Sequence, residues 1–246
     1  MVLLEGNHLS KKFIGKEKET DALKDVSFTL NDGEVLGIVG ESGSGKRTLL
    51  KVISGILLPD DGNLFYRGDE YTGKTPRQTG EFLQYIFQNP ESSFDPRLSM
   101  EKSVIEGGRG AKDKEKILEI MDEVGLEREL LKRRPAELSG GQCQRMSIAR
   151  ALYSKVGILL CDEITSALDV STQAQIIALL QKLKSMQGLS LLFVSHDIAL
   201  VYMLCDRVMV MKDGEVIEQG DTPDVIKNPK EEYTKLLIDS AIKQSI

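Results

Sequence analysis

The sequence predicts an α/β protein with a mostly parallel sheet, and three observations predict it. The apolar run at residues 35–39 leads into a glycine-rich loop at 40–45 and then into a helical pattern at 48–53. Short apolar runs return at 157–161, 191–195 and 208–211. An amphipathic pattern at 172–186 separates the first two of these, and strands alternating with helices imply parallel pairing through crossovers.

Before residue 36 the chain reads as β strands: residues 26–30 alternate in part, and Asn31-Asp32-Gly33 is a turn signal ahead of the apolar run. Residues 89–156 change character. There Ile117, Leu118, Ile120, Met121 and Val124 recur at helical spacing within 112–124, and Gly125 suits a C-terminal cap, so this stretch reads as a helical insertion. Residues 143–152 also read as a helix.

Composition narrows the classes. With 32 Lys+Arg against 38 Asp+Glu, the 246 residues carry a net charge of −6, which excludes a strongly basic nucleic-acid binder as the default. A 41% hydrophobic content and a mean hydropathy of −0.19 supply a sizeable core and predict a soluble globular protein. Cys143, Cys161 and Cys205 are odd in number and lack CxxC spacing, which argues against a disulfide framework or a structural zinc site and for a reducing compartment. The apolar start is too short for a signal peptide, and no run reaches the roughly 18 apolar residues of a membrane helix.

The loop Gly40, Glu41, Ser42, Gly43, Ser44, Gly45 followed by Lys46 stands between a strand and a helix. In that setting backbone amides cradle phosphates, the helix N-terminus faces their charge, and the lysine reaches the terminal phosphates. The full motif has Ser or Thr after the lysine, and here Arg47 stands there. Magnesium prefers hard oxygen ligands, and arginine supplies none. Thr48 points about 100° away on a helix, so it does not simply replace the missing hydroxyl.

Two further places carry candidate chemistry. Residues 158–161 run straight into Asp162 and Glu163, which suits either a magnesium ligand beside a general base or a strand that merely ends in a polar loop. Ser139, Gly140, Gly141 and Gln142 open a helix. They suit a second anion site, although an ordinary N-cap is the simpler reading of these residues alone.

Taken in order, these elements resemble the ATP-binding cassette family, the nucleotide-binding subunits of ABC transporters. The resemblance covers essentially the whole chain. It rests on residues 40–48, Gln88 within Ile86-Phe87-Gln88-Asn89-Pro90, the LSGGQ sequence at 138–142, Asp162-Glu163, residues 166–169 and Ser195-His196-Asp197. It implies a P-loop NTPase (RecA-like) core, N-terminal antiparallel strands and an inserted helical subdomain. Within one cassette over 1–246, the core would take 1–88 and 157–220, the helical subdomain 89–156, and a helical tail 221–246.

The resemblance also implies roles. ATP and Mg2+ would be the cofactors. Phe13 would stack on adenine, residues 40–48 would bind phosphates, and residues 139–142 would bind the ATP of an opposing cassette. Gln88 and Asp162 would serve the metal, Glu163 would be the general base, and His196 would contact the γ-phosphate. Asp169 would face the partner's phosphate loop, and His8 falls outside every motif. Two cassettes would pack head to tail, the second being a different chain. Closure would pass to two transmembrane permease subunits, with a solute-binding protein engaged indirectly, at the cytoplasmic face of the cell membrane and without nucleic acid.

Residues 87–97 and 228–237 resemble the peptide and nickel importer group, although Glu231-Glu232 stand where a His-Pro pair is usual. The expected activity is ATP hydrolysis coupled to uptake of peptides or nickel chelates, with the chain's brevity leaning towards nickel or short dipeptides. Arg47 raises an alternative, a nucleotide-binding partner subunit with a degenerate site and little hydrolysis of its own. Soluble repair and translation factors with cassettes are the rival, but their long coiled coils or paired cassettes have no counterpart in 246 residues.

Overall fold

The structure is a computed structural model and describes residues 1–15, 19–71, 79–108 and 112–244, so residues 245–246 of the expected tail lie outside it. It has two sheets. β1 (Val2–Ile14), β2 (Glu19–Asn31), β4 (Asp61–Tyr66) and β5 (Asp69–Tyr71) form an antiparallel sheet in the order β2-β1-β4-β5. The second sheet holds six strands in the order β10-β9-β3-β8-β7-β6. These are β3 (Val35–Val39), β6 (Leu83–Ile86), β7 (Ile158–Asp162), β8 (Ser190–Val194), β9 (Arg207–Lys212) and β10 (Glu215–Asp221). All neighbours in it are parallel except β10, which returns antiparallel along β9.

Strands β3, β7 and β8 are buried at every residue, which is why each reads as a continuous apolar run and not as an alternation. The period of two is still present in where side chains go. Val35, Val39, Leu159, Cys161, Leu191 and Phe193 join one core cluster, and Leu36, Ile38, Ile158, Leu160, Leu192 and Val194 join the other. The second cluster is closed by the antiparallel sheet and by α1 (Lys46–Ile53), through Leu23, Phe28, Leu49 and Ile53.

The first cluster is covered by helices. Between β6 and β7 come α2 (Met100–Gly107), α3 (Lys114–Glu123) and α4 (Gly140–Tyr153); α5 (Val170–Gln187) and α6 (Ile198–Leu204) follow β7 and β8. α7 (Thr222–Lys227) and α8 (Glu232–Gln244) end the described chain. The sheet is thus covered on both faces, and its exposed edge of chemistry is the set of strand C-termini.

Several boundaries differ from the sequence reading for physical reasons. α1 begins at Lys46 rather than 48, and Gly45 takes a left-handed φ of 105° as its N-cap. α4 begins at Gly140 rather than 143, because Ser139 and Gln142 form a capping box that draws both glycines into the first turn. β6 was not anticipated: four residues, two of them half-exposed, leave no periodic signal.

Candidate functional site

The C-terminal ends of β3, β6 and β7 converge on one cleft. Its cavity of about 350 Å³ is lined by Thr20, Ser42, Gly45, Lys46, Arg47 and Thr48 with Gln88, Asp162 and Glu163. Gly40 leaves β3 at φ 146°, and a Cβ there would lie 2.1 Å from the Met211 carbonyl oxygen, so only glycine lets the loop turn against β9. α1 then starts with no side-chain cap and no acidic residue in its first turn, while Lys46 and Arg47 occupy that turn. Two cations at the positive end of a helix are unfavourable unless anions meet them.

One ammonium is satisfied by the loop itself. Lys46 Nζ donates to the carbonyl oxygens of Gly40 and Glu41, both at 2.7 Å, and to Ser44 Oγ at 3.2 Å. Burial holds its pKa below the ordinary lysine value, although Glu163 and Asp162 oppose that shift. Glu41 and Ser42 are exposed at the loop's tip, and the Glu41 N–H donates to the Tyr233 hydroxyl of α8 at 3.1 Å.

The other cation meets the acidic groups. Arg47 Nε donates to Asp162 Oδ2 at 2.8 Å and Nη2 donates to Gln88 Oε1 at 2.5 Å, with Glu163 Oε2 at 3.8 Å. The Asp162 side chain is 5% exposed and that of Arg47 48%. Partial burial opposes the guanidinium charge, but Asp162 outweighs it and raises the Arg47 pKa. Gln88 Nε2 in turn donates to Glu163 Oε2 at 2.8 Å and to Ser166 Oγ at 3.2 Å. Arg47 of α1 and the three residues from the ends of β6 and β7 form one network.

Glu163 takes a positive φ of 49°, uncommon for a non-glycine residue and of order 1 kcal/mol in cost. It is held there by its own N–H donating to the Val194 carbonyl and by Ser166, whose hydroxyl and N–H both donate to the Glu163 carbonyl. Tyr85, which the sequence reading missed, donates its hydroxyl to Asp162 Oδ2 at 2.8 Å; burial and the adjacent carboxylate keep that phenol protonated. Tyr85 has no sequence signal, since it matters only through strand register; Ser166 falls within residues 166–169, but its bond to Gln88 is visible only in three dimensions.

A magnesium ion does not fit this arrangement. Position 47 offers no hydroxyl, Asp162 Oδ2 already accepts from Arg47 and Tyr85, and Gln88 Oε1 accepts from Arg47. The buried Asp162 Oδ1, without a hydrogen-bond partner, is the one oxygen of the pair left open. Magnesium ordinarily takes one or two carboxylates together with phosphate and water oxygens, so what opposes it here is the fixed guanidinium charge beside this carboxylate. No group of three or more metal-binding side chains occurs among the described residues.

The other expected residues lie around the cleft. Phe13 is 42% exposed near the end of β1 and pairs with Thr20, which lines the cavity. His196 is exposed two residues beyond Val194, a lining residue, in the turn where Asp197 caps α6. Residues 139–142 do not line this cavity; Ser139, Gly141 and Gln142 border a separate hollow of about 270 Å³ with Arg145 and Thr172. Asp169 caps α5 by accepting from the Thr172 N–H, and the Ser171 and Thr172 hydroxyls, with that N–H, hold its carboxyl well below the usual range.

A family model described as ABC transporter matches residues 23–166. The oligopeptide transport ATP-binding protein OppF of Haemophilus influenzae is 41% identical over 96% of this chain and 77% of its own length. The OppF of Bacillus subtilis is 38% identical over 96% of this chain and 81% of its own. The dipeptide transport ATP-binding protein DppF of Haemophilus influenzae is 39% identical over 96% and 75%. Among solved structures, the ATP-binding cassette MJ0796, dimeric and bound to ADP and Pi, aligns with a TM-score of 0.79 at 30% identity, covering 89% of this chain and 99% of that one.

Proposed function

The chain belongs to the ABC transporter family, and on that footing we propose that it is the nucleotide-binding subunit of a peptide importer, holding the phosphates of ATP with residues 40–48. It is a cassette of a transport-coupled ATPase. The peptide half of the expected cargo is the half that the oligopeptide and dipeptide relatives support.

The observation that carries the reading is the first turn of α1. Lys46, the glycine-shaped loop and the uncapped N–H groups of that turn offer donors and a positive helix end to an anion. Lys46 would exchange its loop carbonyls for phosphate oxygens. Phe13 would stack on the base beside Thr20, and His196 would approach the terminal phosphate from the end of β8. Glu163 would take a proton from attacking water once Gln88 releases its carboxylate.

Residues 139–142, which do not line this cleft, would complete the site of a second cassette, and that partner's equivalent segment would complete this one. Among the described residues no helix is long and apolar enough to cross a membrane. Permease subunits would carry the coupling and hold the chain at the cytoplasmic face, a reading that the peptide-transport relatives support. Binding of a fluorescent ATP analogue tests the site: ATP should compete, and Lys46→Ala should weaken binding by about tenfold or more. An unchanged Lys46→Ala affinity would remove the loop from the reading.

One observation favours a second reading of this chain's own site. Arg47 engages Asp162, Gln88 and Glu163 together, so the expected metal ligands Gln88 and Asp162 and the expected base are all held by it. In that reading the chain binds ATP, hydrolyses little at its own loop, and serves hydrolysis chiefly by completing its partner's site.

A further inference from the structure

We propose that Arg47 is a tethered cation standing in for the divalent metal, so that this site binds nucleoside triphosphate without magnesium. The proposal rests on the nucleotide-binding reading above and adds the ion requirement to it.

Charge gives the first argument. Lys46 and Arg47 balance Asp162 and Glu163, so the cleft is formally neutral, whereas Arg47→Ser would leave it with one net negative charge. A triphosphate entering a net-negative cleft must bring a cation; one entering a neutral cleft with two fixed cations need not. Geometry gives the second. Nε and Nη2 reach acceptors from the ends of β7 and β6, gathering the oxygens a metal would otherwise gather. Nη1 has no hydrogen-bond partner among the described residues, and the half-exposed guanidinium lines the cavity, so one edge is left for a phosphate oxygen. Unlike a bound ion, this cation cannot be removed by a chelator.

The test is equilibrium binding of methylanthraniloyl-ATP to the full chain and to Arg47→Ser, each in excess magnesium chloride and in EDTA. The proposal expects the unmodified chain to change its Kd by less than about threefold between the two buffers, while Arg47→Ser loses about tenfold or more in EDTA. A loss of about tenfold in the unmodified chain overturns it. Metal-indifferent binding by both proteins also overturns it, because Arg47 would then not be the reason. Binding by Arg47→Ser alone overturns it while leaving the loop a nucleotide site. Binding by neither protein in either buffer defeats the nucleotide reading itself, and the proposal with it.

Discussion

Arg47 and Asp162, 115 positions apart in the chain, meet at 2.8 Å in the lining of the cleft, guanidinium Nε to carboxylate Oδ2. The carboxylate is nearly buried and the arginine half-exposed, so the pair is asymmetric: removing Arg47 strands a charge that water reaches poorly. Arg47→Met should therefore lower stability by about 1–2 kcal/mol in chelator, discounted for the exposed partner. Thermal denaturation checks it, with a fall of about 2–8 °C expected for a domain of this size.

Gly40 and Gly43 both have positive φ but face different surroundings, which separates backbone strain from collision. A Cβ at Gly43 meets nothing within 4 Å, so Gly43→Ala should cost only the conformational penalty of about 1–2 kcal/mol. At Gly40 it would meet the Met211 carbonyl oxygen at 2.1 Å. Gly40→Ala should be the more destabilising by about 1–3 kcal/mol in urea unfolding, because β9 must shift to admit it.

Tyr233 of α8 ties the described C-terminal helix to the glycine-rich loop through the Glu41 N–H. Removing that acceptor frees the loop tip without disturbing a core. Tyr233→Phe should weaken ATP-analogue binding by about twofold to tenfold, the range of one hydrogen bond, with an unchanged melting temperature.

The depressed pKa of Lys46 sets a pH dependence. Burial lowers it from 10.5, so the folded chain without nucleotide loses this proton before the unfolded chain does. Between the depressed value and 10.5 the unfolded chain holds more protons, and this residue's contribution to stability rises with pH. Nucleotide affinity should move the other way, falling on the alkaline side as the ammonium is lost. An affinity titration against pH checks it, and Lys46→Arg should flatten that fall.

Much of the candidate site was legible in the sequence because it is local: residues 40–48 are contiguous, and Asp162 and Glu163 announce themselves by ending an apolar run. The parallel sheet was legible for the same reason, since β3, β7 and β8 are buried on both faces and read as apolar blocks. What the sequence withheld is register. Tyr85 reaches Asp162 only because β6 pairs with β7 in the register Tyr85↔Leu160, and no spacing encodes that. The departure at Arg47 was visible as a missing hydroxyl; that its guanidinium gathers Asp162, Gln88 and Glu163 became visible only in three dimensions. β4 and β5 likewise escaped because they are short and only Leu64 of their nine residues is buried, which leaves no apolar run to read.

The most direct measurement is ATP turnover in excess magnesium by three proteins: the unmodified chain, Arg47→Ser, and Arg47→Ser combined with Glu163→Gln. Arg47 holding the acidic cluster predicts near-background turnover by the unmodified chain alone. It predicts a rise of about tenfold or more in Arg47→Ser, and a return to background when Glu163 is also replaced. Equal turnover by the unmodified chain and Arg47→Ser would contradict it, since the guanidinium would then leave the cluster whenever nucleotide arrives.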